Sequence, residues 1–122
     1  MGCEQNEGLY REFMDRIVEL GQLLDVYGAF LTERQLSFAR QAAYEDCSLA
    51  EIAEREGVSR QAARDAIRRA ETALRGMEQR LGLIARAGSM RRLIAEARAL
   101  DGAALGAKLD EIESLWEFGD GV

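Results

Sequence analysis

Residues 48–70, SLAEIAEREGVSRQAARDAIRRA, restrict the fold of this chain more than any other stretch. Ser48 and Glu51 stand at capping-box spacing, where the serine oxygen and the glutamate each satisfy an amide left open at a helix start. A short helix should then run from Leu49 to about Glu56, with Leu49, Ile52 and Ala53 on its inner face. Gly57 falls where a left-handed residue must end that helix, because a Cβ is disfavoured there. Val58 is an apolar plug for the turn, and Ser59 can cap a second helix that opens at Arg60. Two helices crossing over so tight a turn need a small residue at the contact, and Ala53 supplies it. The pattern is that of a helix-turn-helix. Two residues depart from it. Glu56 stands where an apolar residue is common, and Ala63 is smaller than the valine or isoleucine often found at that inner position. The plainer alternative is a two-helix corner that serves packing alone.

Composition extends this to the whole chain. Its 122 residues hold no proline and are 48% hydrophobic, enough for one core. Good helix formers dominate, and no segment alternates with a period of two. The expected fold is all-α: one helical domain over 1–122, with a helix-turn-helix at about 48–75 and a helical extension over about 76–118.

The spacing predicts a first helix from about Gly8 to Val26, with Phe13, Ile17, Leu20 and Leu24 in one row that Tyr27 extends. Gly28 breaks it. Thr32 opens a second helix with Gln35 as its capping-box partner and Leu36, Ala39 and Ala43 inward. Asp46-Cys47 leads into the helix-turn-helix. From Arg60 a stripe of Ala63, Ile67, Ala70, Leu74, Met77, Leu81 and Ile84 runs through Gly76 and Gly82 at heptad-like spacing. It suits either an intramolecular core or a contact between chains. Gly88 and Ser89 read as a stop and a new cap, Leu93, Ile94 and Ala97 as a fifth helix, and Asp101-Gly102 as a turn. Leu105, Leu109, Ile112 and Trp116 share one face of a last helix, and Phe118-Gly119-Asp120 should fray. The row from Met77 to Ile84 and the terminal helix offer more apolar stripe than a small head can cover, which predicts a homodimer. The N-terminal helix is a further contributor.

Charge is unevenly placed. The net formal charge is −6, yet residues 59–92 carry nine arginines against Asp65, Glu71 and Glu78. The basic block begins where the second helix of the pair begins, and it points to an anionic partner. Histidine is absent, there is no phosphate-cradling glycine loop, and no nucleophile stands beside a base. These features exclude the usual enzyme chemistries, and no cofactor is expected. Cys3 and Cys47 cannot make a metal set alone and fit a reducing cytoplasm. The Met1-Gly2-Cys3 start has Asn6 where a myristoylation signal needs Ser or Thr, and no apolar stretch is long enough for membrane insertion.

On the second helix Arg60, Arg64 and Arg68 recur every four residues, with Gln61 and Asp65 beside them. A helix in the major groove reads bases from its first turns, and Arg and Gln are the usual readers of guanine and adenine. Ser59 and the helix start suit a phosphate. An ordinary solvated face competes with this reading: Asp65 can pair with Arg69 and Glu71 with Arg75. Those pairs leave Arg60, Arg64 and Arg68 unspent.

Residues 31–74 resemble region four of bacterial sigma factors, the part that reads the promoter −35 element. Leu23 to Gln35, LLDVYGAFLTERQ, followed by SLAEIAEREGVSRQAARDAIRRAE, resembles the small cytosolic YlxM family over roughly Phe13 to Arg98. Tyr27-Gly28 and Leu31-Thr32-Glu33-Arg34-Gln35 are the more diagnostic residues. The resemblance implies a sigma-region-four-like head with added N- and C-terminal helices. It also implies a DNA-binding or regulatory protein associated with the signal recognition particle pathway, since the family's genes tend to lie beside those of that particle's GTPase and receptor. Carried over to this chain, the contact face is Ser59, Arg60, Gln61, Arg64 and Arg68. The alternative function is an interaction protein that turns the same face to RNA or protein components of the particle.

Overall fold

The computed structural model describes residues 2–117, with side chains from residue 7 onward. The Met1-Gly2-Cys3 side chains and the expected fraying at Phe118-Gly119-Asp120 lie outside the described residues. Six α-helices and no strand occur among those described: α1 (Gly2–Tyr27), α2 (Glu33–Ala43), α3 (Leu49–Glu56), α4 (Arg60–Leu81), α5 (Leu83–Ala97) and α6 (Gly102–Ser114). A 3-10 turn over Gly28–Phe30 joins α1 to α2. The chain divides into two compact units between Leu81 and Gly82.

The first unit holds α1 to α4. Its α1 starts earlier than the expected Gly8, and its last turns bury Leu20, Leu23, Leu24 and Tyr27. Thr32 and Gln35 form the full reciprocal capping box at the start of α2. Ser48 supplies the serine half of its own box, accepting from the Glu51 amide at 3.2 Å. Gly57 closes α3 at φ 68°, and Val58 returns its amide to the Ala53 carbonyl at 3.0 Å. Phe38, Ile52, Ala53 and Ala63 form one buried cluster, against which Val58, Leu49 and Ile67 pack. The small Ala63 is accommodated because the wholly buried Phe38 ring from α2 supplies bulk to the same cluster.

Polar ties fix the helices of this unit. Arg75 on α4 forks onto Glu19 of α1 at 3.0 and 3.2 Å and also binds Glu71 at 2.8 Å. The bonds to Glu71 and then Glu19 raise its pKa. Tyr27, buried in the core, donates its hydroxyl to Glu78 at 2.5 Å. Glu56, the residue out of pattern before the turn, accepts from Gln41 at 2.8 Å and Ser37 at 2.9 Å, so it anchors α3 to α2.

The second unit pairs α5 with α6. Leu93 and Ala97 are its buried residues on α5, and none is buried on α6. Lys108 bridges Glu96 on α5 and Glu111 on α6, both at 3.0 Å. Two expectations are corrected here. The stripe from Ala63 does not reach Ile84 on one helix, because Gly82 is left-handed at φ 63° and ends α4. Gly88-Ser89 is no stop: α5 runs straight through it, its strong helix formers on both sides outweighing the cost of one glycine. Gly102 does turn the chain, at φ 59°.

Candidate nucleic-acid interface

The site is built by the start of α4. Ser59 takes the Ala62 amide at 3.0 Å, and its carbonyl takes the Ala63 amide at 2.9 Å. The amides of Arg60 and Gln61 have no carbonyl four residues back within the helix, so they face outward as donors at its positive end. The inner face of α4 is fixed by Ala63, Ala70 and Leu74, all wholly buried. With that face committed, the 100° step puts Arg60, Arg64 and Arg68 on the outside, and all three are exposed, as are Ser59 and Gln61.

None of Arg60, Arg64 and Arg68 forms an ion pair among the described residues. Their charge is therefore available to an external anion. Gln61 differs. Its side-chain amide donates to Asp65 at 3.1 Å. Asp65, spaced so that it can pair with Arg69 one turn on, instead serves as acceptor one turn back. Glu71 does pair with Arg75 at the favoured spacing.

The predicted residues split between two concavities. Arg60, Gln61 and Arg64 line a shallow hollow of about 400 Å³ together with Ser48, Leu49 and Ala50 from the start of α3. Arg64 also reaches, with Arg68, the lip of a second cleft of about 440 Å³ between α1, α3 and α4. Ser59 lines neither. Sequence reasoning placed Asp65 beside the face but missed its bond to Gln61, for which the signal was only the four-residue spacing. It also missed Arg16, which joins the lip of the second cleft from α1. Among the described residues, no group of His, Cys, Asp and Glu side chains is placed to hold a metal, and no helix is long and apolar enough to cross a membrane.

A capped second helix with a committed inner face, a left-handed glycine turn and an open row of arginines defines a helix-turn-helix protein. The chain belongs to the UPF0122 family, described as "Putative helix-turn-helix protein, YlxM / p13 like", which matches over residues 14–104. It is 48% identical over 95 residues to a UPF0122 protein of Symbiobacterium thermophilum, covering 77% of this chain and 89% of the relative. It is 39% identical over 107 residues to one of Shouchella clausii, covering 84% and 98%.

Proposed function

We propose that this chain is a DNA-binding regulator that acts as a homodimer in the cytoplasm, one α4 per half-site. The observation that carries the reading is the open pair Arg60 and Arg64 on the first two turns of α4, exposed and without an ion pair among the described residues. In this reading Arg60 and Arg64 contact phosphate or guanine, Gln61 reads a base edge, Ser59 and the α4 start receive a phosphate, and Arg68 adds a backbone contact. Paired half-sites follow from a two-fold dimer, since each subunit offers one reading helix.

The net charge of −6 favours a second reading. An acidic chain gains little from non-specific attraction to a duplex, and in this second reading the basic face serves an RNA or protein component of the signal recognition particle. One titration separates the two. The full chain and the Arg60→Ala/Arg64→Ala double variant are titrated at one ionic strength against duplex DNA and against the particle's RNA and protein. DNA-selective binding lost in the double variant supports the regulator. Binding to the particle, with DNA at background, supports the interaction protein. Unchanged binding by the double variant to every partner removes the site.

A further inference from the structure

The first half of α1 presents an apolar row that its own unit leaves open. Leu9, Tyr10 and Phe13 are 64%, 65% and 59% exposed. At 100° per residue, Phe13 and Ile17 lie on the same face as Leu20, Leu24 and Tyr27, which the core buries. The open row is thus the buried row continued past the point where α2 and α4 cover it. A helix facing water there would carry polar residues on this side. Beside the row lies the 440 Å³ cleft, with an apolar floor that includes Leu49, Ile52 and Ile67 and a lip of Arg16, Arg64 and Arg68. Phe13 and Ile17 belong both to the row and to the cleft wall.

We propose that row and cleft together form the interface of an isologous homodimer, in which the first half of α1 from a second copy crosses α1 antiparallel and covers the cleft. The proposal rests on the dimeric reading above and names its surface. An isologous contact requires one patch to be its own complement, and a ridge continuous with the cleft it fills meets that requirement. Charge points to the same occupant. Glu7 and Glu12 flank the row on its two sides, and the lip they would meet is three arginines with Glu71 as the one acid among the lining residues. The row spans residues 9–17, so the two-fold axis passes beside Phe13. The lip arginines are met from the cleft side, and Arg64 also lines the hollow with Arg60 and Gln61, on the side left open to a duplex.

The test is sedimentation of the full chain at micromolar concentration, with three variants. Wild type should sediment at about twice the 13.6 kDa chain mass. Phe13→Glu should sediment as a monomer with wild-type helical circular dichroism, since Phe13 makes little of the subunit's own core. Leu81→Glu, at an exposed apolar residue at the end of α4, should remain a dimer. Phe13→Cys, with Cys3 and Cys47 replaced by Ser, should oxidise to a covalent dimer because the residue sits at the axis. A dimer that survives Phe13→Glu and gives no Phe13→Cys cross-link overturns this interface and leaves the dimeric reading standing. A wild-type monomer at every concentration overturns both.

Discussion

Gln61 and Asp65 hold each other one helical turn apart, the amide of the first donating to the carboxylate of the second at 3.1 Å. The acid thereby sits beside the arginine row of α4 and takes one of the two N–H donors of the Gln61 amide. On the proposed DNA-reading role, Asp65 is a brake. It repels phosphate, and its bond holds the Gln61 side chain along the helix, so a base must compete for the amide's orientation. Asp65→Asn should tighten duplex binding several-fold, with the gain largest at low salt. Fluorescence anisotropy at two ionic strengths measures it, and equal or weaker binding by Asp65→Asn contradicts the brake.

Arg64 bears more directly on the duplex. If it is bidentate to a guanine, Arg64→Ala should cost about 1–3 kcal/mol of specific binding. Wild-type affinity should fall with salt at a log–log slope of about −3 to −6 for a dimer with a few phosphate contacts per subunit. Thermal stability should change little, because the side chain is exposed and forms no ion pair among the described residues. A large stability loss with unchanged binding would assign Arg64 to the fold instead.

Gly57 sets the angle between α3 and α4. A Cβ built there meets nothing within 4 Å, yet the backbone is left-handed at φ 68°. The cost of Gly57→Ala is therefore conformational, about 1–2 kcal/mol, and Gly57→Asn should cost less. Urea denaturation of the two variants gives the comparison. Equal losses would point to sterics rather than backbone angle.

Phe38 is the largest side chain of the cluster beneath the helix pair and is wholly buried. Phe38→Ala should destabilise the protein by about 3–5 kcal/mol, since neighbours as small as Ala53 and Ala63 cannot collapse into the void. Chemical denaturation measures this, and a loss near that of a surface mutation would refute the packing.

The local parts of this architecture were legible because each depends on a few adjacent residues. Ser48, Gly57 and Ser59 fix where α3 ends and α4 begins, and Thr32 with Gln35 fixes the start of α2. Glycines away from caps were ambiguous. Gly82 is left-handed and Gly88 lies inside a helix, and only the surrounding packing separates these outcomes. The arginine face was legible from its four-residue period once Ala63 and Ala70 marked the opposite side. The partner of Asp65 was not, since Gln61 at i−4 and Arg69 at i+4 are equally spaced from it. Glu56 looked misplaced for a similar reason. Its partners Ser37 and Gln41 lie on α2, and their approach depends on how α2 crosses α3.

Tyr44 offers a spectroscopic check on the seam between α1 and α2. Half of its side chain is open to solvent, but its hydroxyl packs against α1, near the Gly21 carbonyl and donating to Asp25. Burial of the hydroxyl, then the bond to the Asp25 carboxylate and its negative charge, push its pKa up to about 12. The unfolded value is 10.0, so between these values the folded protein holds a proton that the unfolded chain has lost. The stabilisation from this contact is thus fully present below pH 10 and is lost as pH rises through about 12. Subtracting the ultraviolet titration of Tyr44→Phe from that of wild type should isolate one phenolate appearing near pH 12. The stability difference between the two proteins should shrink over the same interval. A phenolate near pH 10 in the difference spectrum would show that Tyr44 is not held against Asp25 and that the seam is looser than described.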